Sequence, residues 1–205
     1  MSVRLEINPY GPQPRKLEQA IKVLNDGGVI IFPTGTTYVF ACSIKSKKGK
    51  DRIYQLKEID KKKPLTFICN DTSQFEQYTK GIPTPLFRLI KQVVPGPYCF
   101  IFEASKLVPK VMQCPRNTIG VKMPESPIAR ALVEALGEPI LTSSVPLEEG
   151  EIMQEGGVVF DQWHKLVDLL LDGGELFVTE SAIIDCSSEE PEILRAGDAD
   201  LSWLV

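Results

Sequence analysis

Four hydroxyl side chains fall within five residues at Thr34, Thr36, Thr37 and Tyr38, directly after the apolar run Val29-Ile30-Ile31-Phe32 and Pro33. Hydroxyls at that density can hold a polar ligand, and loops at the strand ends of open α/β sheets are where ligands sit. The same residues would equally build a polar turn. A second hydroxyl cluster, Thr142-Ser143-Ser144, ends the apolar run Pro139-Ile140-Leu141. Cations are concentrated between Lys45 and Lys63, where nine Lys and Arg face only Asp51, Glu58 and Asp60. Such a run is either a solvated helix-and-loop face or a patch that attracts phosphate or nucleic acid. Metal chemistry is not expected: Cys42, Cys69, Cys99, Cys114 and Cys186 stand singly, and the only histidine is His164. Neither a disulfide framework nor a zinc site fits that spacing.

These groups need a scaffold, and its elements are legible in outline. Gly27-Gly28 and the apolar run at 29–32 read as a turn and a buried strand, which Pro33 stops from pairing further. Leu17, Ile21 and Leu24 have helical spacing over 14–26. A helix is expected at 50–57, with Ile53 and Leu56 inward, and a strand at 65–69. The pattern at 85–94 predicts a helix that Pro95-Gly96-Pro97 ends. Strands are expected at 98–102, 118–123, 139–144 and 181–185. The helix at 127–136 carries the fullest signals: Ser126 as N-cap, Pro127 at its first position and Gly137 after its last turn. A further helix is expected at about 161–172, where His164 is assigned a structural role beside Trp163 and Leu166. The acidic stretch 148–157 is expected to be a mobile loop. Several connections are too short for a crossover helix, which predicts a mixed sheet rather than a purely parallel one.

The chain has 205 residues, 43% of them hydrophobic, enough for a sizeable core. Its net charge of −4 hides an asymmetry. Residues 1–147 hold 21 of the 23 basic residues against 12 acids, whereas residues 148–205 hold 15 acids against Lys165 and Arg195. Apolar stretches are too short to span a bilayer, and the first residues lack the basic-then-apolar shape of a signal peptide. A reduced, cytoplasmic protein with no membrane partner is the expectation.

Four segments, in order, resemble the YrdC/YciO family over nearly the whole chain. They are Pro33-Thr34-Gly35-Thr36-Thr37-Tyr38 followed by Cys42; Leu56-Lys57 with Pro64-Leu65; Pro95-Gly96-Pro97 with Ile119-Gly120-Val121-Lys122-Met123-Pro124 and Ser126-Pro127; and Thr142-Ser143-Ser144 with Ser181-Ala182-Ile183-Ile184-Asp185 and Ile193-Leu194-Arg195-Ala196-Gly197. The resemblance implies one YrdC/RibB-like domain over 1–205. Its fold would be an open twisted mixed α/β sheet, parallel and antiparallel, flanked by helices and holding a deep basic cavity. It also implies a nucleotidyltransferase that condenses L-threonine, bicarbonate and ATP into threonylcarbamoyl-AMP, with Mg²⁺ accompanying the nucleotide and no metal held by the protein. The product would serve threonylcarbamoylation of tRNA; the alternative is a non-catalytic protein that binds double-stranded RNA or nucleotide in the same cavity.

Carried over by position, Lys57 and Arg195 would be the catalytic cations, holding nucleotide phosphates together with Ser143 and Ser181. Thr34, Thr36 and Tyr38 would bind the amino-acid substrate. Without the resemblance, Lys57 reads as a helix-terminal cation, Ser143 as a strand-end cap, and Arg195 as a partner of Glu192 or Asp198. The departures from the family pattern fall near the expected chemistry. Ile59 stands for the arginine of Lys-x-Arg and Val145 for the asparagine of Ser-x-Asn. Gly35 replaces an aspartate, Val39 a glycine, Lys122 an arginine and Ser126 a histidine. These losses resemble the YciO branch of the family more than its synthases.

Overall fold

The computed structural model describes residues 2–61, 63–112, 115–147 and 151–204. In chain order its elements are β1 (Val3–Glu6), α1 (Pro14–Asn25), β2 (Ile30–Pro33), β3 (Tyr38–Ser43), α2 (Lys47–Lys57), β4 (Thr66–Ile68), α3 (Thr72–Tyr78) and α4 (Thr84–Val93). There follow β5 (Tyr98–Glu103), β6 (Thr118–Lys122), α5 (Pro127–Leu136), β7 (Ile140–Ser144), β8 (Met153–Glu155), α6 (Gly156–Trp163), β9 (Leu169–Asp172), β10 (Glu175–Phe177), β11 (Ala182–Asp185) and β12 (Glu192–Arg195).

Ten strands form one sheet in the order β1-β9-β2-β3-β7-β4-β6-β5-β11-β12, and β8 pairs with β10 in a separate antiparallel ribbon. The sheet is mixed. β9 runs parallel to both β1 and β2, β4 to β6, and β5 to β11, while β3 and β7 are antiparallel to their neighbours.

Alternation along each strand divides the core in two. Ile31, Tyr38, Phe40, Phe67, Phe100, Val121 and Leu141 point to one face and pack with Ile53 of α2, Phe75 of α3, Ile90 of α4 and Val159 of α6. Ile30, Phe32, Ala41, Ile140, Leu169 and Leu171 point to the other, where Leu17, Ala20 and Leu24 of α1 and Ile128, Leu132 and Val133 of α5 cover them. α5 bears out its signals in full: Ser126 Oγ accepts from the Ala129 N–H, Pro127 opens the helix, and Gly137 closes it at φ 74°. α2 is capped likewise by Ser46, whose hydroxyl accepts from the Gly49 N–H.

The helix expected at 161–172 is a correction. α6 ends at Trp163, and Leu169–Asp172 is β9, an interior strand buried along its whole length. Three leucines between aspartates carry no period that separates a buried strand from a short helix, and a place between β1 and β2 decides it. The 148–157 stretch is also ordered where it is described: Met153–Glu155 is β8 and α6 begins at Gly156, while 148–150 lie outside the described residues. Two ion pairs join the basic and acidic parts of the chain: Arg4 of β1 pairs with Asp172 and Arg52 of α2 with Asp168.

Candidate functional site

The face that α1 and α5 cover over β9, β2 and β3 continues past them across β7, β4, β6 and β5. There the floor is mixed rather than a continuous apolar row: Thr142, Thr66, Lys122 and Cys99 stand beside Ile68, Gly120 lies between Thr66 and Cys99, and a cavity of about 410 Å³ stands over them. Its walls are the threonine loop 34–37, the strand end 143–147, and the segment 178–181 that runs from β10 into β11.

Six of the seven residues expected to bind ligand line this one cavity: Thr34, Thr36, Lys57, Ser143, Ser181 and Arg195. Lys57, the last residue of α2, is steered across the wall by a hydrogen bond from Nζ to the Ser144 carbonyl at 2.7 Å. Partial burial, and secondarily the nearby charge of Lys63, hold its pKa below the usual lysine value. Arg195 donates from Nε and Nη2 to the Ser181 carbonyl at 3.1 and 2.9 Å, and its Nη1 lies 3.8 Å from Glu180. Gly35 makes the turn between Thr34 and Thr36 at φ 86°, where an added Cβ would come within 2.9 Å of the Glu125 carbonyl. An L side chain there would be strained in both respects.

Tyr38 is the exception. It opens β3, is fully buried, and faces away from the cavity. Its hydroxyl donates to the Gly174 carbonyl at 2.7 Å and accepts from the Gly173 N–H at 3.1 Å, and burial drives its pKa up. Alternation in β3 explains the correction: Val39, not Tyr38, points to the cavity face. Two of the sequence departures are structural rather than exposed gaps. Ile59 packs against the main core, and Val145, 2% exposed, reaches both that core and the cavity rim.

The residue of greatest weight was not among the expected site residues. Lys122, at the end of β6, is 9% exposed, yet its Nζ donates to Thr36 Oγ1 at 2.9 Å and Ser181 Oγ at 2.7 Å. It has no ion pair among the described residues. Burial is the main cause that lowers its pKa to about 8, with Arg195 adding repulsion. A buried ammonium held only by hydroxyls is costly, and an anion would relieve it. Cys99 lies beside it on the cavity floor, its pKa raised chiefly by burial. Two signals pointed to Lys122: it stands where the family pattern has an arginine, and it shares a face of the strand Thr118–Lys122 with Gly120. Gln154 was missed: 1% exposed in β8, it accepts through Oε1 from the Thr37 hydroxyl and from the Tyr38 N–H, both at 2.8 Å.

Part of the basic run makes ion pairs, those of Lys45 and Lys61 at the exposed surface. Lys45 pairs with Glu138, Arg52 with Asp168 and Lys61 with Asp51, and Lys57 lines the cavity; Lys62 lies outside the described residues. Among the described residues no group of three or more His, Cys, Asp or Glu is placed to hold a metal ion, and no helix is long and apolar enough to cross a membrane.

Comparison with known proteins gives a consistent set of relatives. The Sua5/YciO/YrdC family model, described as telomere recombination, matches residues 22–197. YciO of Escherichia coli (strain K12) is 36% identical over 203 residues, 98% of each chain. The crystal structure of E. coli YciO covers all of both chains with a TM-score of 0.92 at 35% identity. The threonylcarbamoyl-AMP synthase of Pyrococcus abyssi is 28% identical over 187 residues, which take in 91% of this chain but 55% of the synthase. The crystal structure of P. abyssi Sua5 complexed with L-threonine has a TM-score of 0.85 at 25% identity, over 96% of this chain and 58% of that one.

Proposed function

The chain belongs to the Sua5/YciO/YrdC family, and on that premise we propose that it binds ATP and L-threonine in the cavity over Lys122 and acts as a threonylcarbamoyl-AMP synthase-like nucleotidyltransferase. The observation that carries this reading is the convergence of Lys57, Lys122 and Arg195 on one cavity whose facing wall is made of threonine hydroxyls. A volume of about 410 Å³ suits a nucleotide-sized ligand. The likeness to a synthase, and to a Sua5 structure that holds L-threonine, supports the choice of substrates.

The reaction asks the protein mainly for position and charge. An oxygen of threonylcarbamate, formed from threonine and bicarbonate with loss of one water, attacks the α-phosphorus; the bond from that phosphorus to the β-phosphate bridging oxygen breaks, and pyrophosphate leaves with the electron pair. Lys57 and Arg195 would offset charge on the phosphates, Ser143 and Ser181 would donate hydrogen bonds to phosphate or ribose oxygens, and Thr34 and Thr36 would face the amino acid. Mg²⁺ would arrive with ATP and offset part of its phosphate charge. The product would pass to tRNA threonylcarbamoylation in the cytoplasm. Ile59 packs in the core, so the bidentate arginine contact of the family's Lys-x-Arg pattern is missing, and slow turnover is expected. The relatives named as synthases favour this reading over a non-catalytic RNA-binding role.

The test is pyrophosphate release from ATP by the purified protein at high concentration. Release that needs both threonine and bicarbonate supports the proposal, and release indifferent to threonine sinks it. Lys57→Ala should abolish ATP binding; unchanged affinity would show that the phosphates lie elsewhere.

A further inference from the structure

Lys122 Nζ joins two walls of the cavity. It donates to Thr36 Oγ1 at 2.9 Å on the threonine loop and to Ser181 Oγ at 2.7 Å on the segment 178–181. On the reading given above the first wall faces the amino acid and the second the nucleotide, so this nitrogen stands where the two would be joined.

The surroundings support the nitrogen with or without its charge. Among the described residues the other titratable groups that line the cavity are Cys99 of β5, Lys57 of α2, Arg195 of β12 and Glu180 at the rim. Burial raises the pKa of the Cys99 thiol and keeps it neutral. Lys57 and Arg195 are cations themselves, and the exposed Glu180 carboxylate lies 3.8 Å from Arg195. β4, β7 and the threonine loop place no charged group there. An ammonium 9% exposed with no acid beside it holds its proton weakly, and its pKa falls to about 8. The neutral amine has partners too. A hydroxyl accepts from an ammonium and donates to an amine, and Ser181 Oγ has no other partner among the described residues. The arginine that the family pattern has at this position could not alternate in this way, since a guanidinium only donates and keeps its proton.

We propose that Lys122 is a catalytic residue that works in both charge states: as the amine it takes a proton from the threonine ammonium, and as the ammonium so formed it offsets the charge of the carbamate and the α-phosphate. This rests on the synthase reading and deepens it. Proton transfer to Lys122 frees the lone pair of the threonine nitrogen, which forms the N–C bond to bicarbonate. The C–OH bond breaks, and the hydroxyl leaves as water with a second proton from that nitrogen. The carbamate keeps the single negative charge of bicarbonate. The one proton that these steps release stays on Lys122 until pyrophosphate has left and water takes it.

Two measurements test this. In protein labelled with ¹³C at lysine Cε, the resonance missing from both Lys122→Arg and Lys122→Met reports the charge of this amine with no ligand present. It should titrate near pH 8, and titration near 10.5, the ordinary lysine value, overturns the proposal. The second measurement follows threonine-dependent pyrophosphate release against pH in wild type and Lys122→Arg. The variant keeps the positive charge but cannot accept a proton, so kcat near pH 7 should fall about 100-fold, with KM for ATP within about threefold. The deficit should shrink to less than about tenfold near pH 9.5, where threonine arrives with its amine already free. A deficit that stays constant across pH would mark a role in packing alone and overturn the proposal. An active wild type matched by an equally active Lys122→Arg overturns this role and leaves the synthase reading standing. Wild-type protein without threonine-dependent release removes that reading, and this role with it.

Discussion

One face of one sheet is built in two ways. Over β9, β2 and β3 it presents Leu169, Leu171, Ile30, Phe32 and Ala41, and two helices seal it. Over β7, β4, β6 and β5 the polar Thr142, Thr66 and Lys122 interrupt it beside Ile68 and Cys99, and a cavity stands there in place of a helix. The backbone is continuous and the strand spacing is the same, so the side chains alone make the difference. Removing apolar surface from water is worth about 25 cal/mol per Å², enough to dock a helix on the first half. A helix on the second half would bury hydroxyls and an ammonium that need partners, at a cost greater than the area returned. A sheet face too polar to cover is thus how this fold makes room for a ligand.

Three substitutions would break or sharpen that contrast. Leu132→Ala, under α5, should have the largest effect, lowering unfolding stability by about 3 kcal/mol through lost burial and a cavity, with ATP affinity unchanged. Loss of ligand binding in a folded Leu132→Ala protein would show that the two halves are not independent. Lys122→Met should do the opposite, weakening pyrophosphate binding by about 10- to 100-fold while stabilising the fold.

The Lys122 effect carries a pH signature. Its pKa falls from 10.5 in the unfolded chain to about 8 in the folded one. Between those values the unfolded state binds more protons, so this lysine's contribution to stability rises with pH, by ~3 kcal/mol in all. Other groups titrate in the same range, so the quantity to measure is the stability of wild type minus Lys122→Met by urea unfolding. It should climb from pH 8 to pH 10.5, and a flat difference would mean that the lysine is not desolvated. Pyrophosphate affinity should fall over the same rise in pH as the ammonium is lost.

The smallest effect is expected from Gly120→Ala. The new Cβ would stand 3.1 Å from Cys99 Sγ and 3.3 Å from Thr66 Oγ1, narrowing the floor. Nucleotide affinity should drop several-fold, roughly 1 kcal/mol, with a melting temperature close to wild type.

What could be read from the chain depended on how local the signal was. α5 was legible to the residue because Ser126, Pro127 and Gly137 act on their own helix ends. β9 was misread, since Leu169-Leu170-Leu171 becomes a strand only by lying between β1 and β2. Among site residues, Thr34, Thr36, Lys57, Ser143, Ser181 and Arg195 meet in one cavity although 161 residues separate the first from the last. Tyr38 failed because one step along a strand turns a side chain to the other face. Lys122 was noted only as a departure from the family's arginine, because nothing nearby in sequence shows that its ammonium is buried against Thr36 and Ser181.

The sequence by itself determined residue types and their order: the apolar runs that must be buried, the caps, the hydroxyl clusters and the family likeness. Register, face and hydrogen-bond partner were decided only by the tertiary structure. They depend on which atoms from distant segments stand opposite one another, as Lys122 stands opposite Thr36 and Gln154 opposite Thr37. The threonine loop could be recognised from ten residues, but its anchorage through the Tyr38 N–H depends on a glutamine 116 positions away.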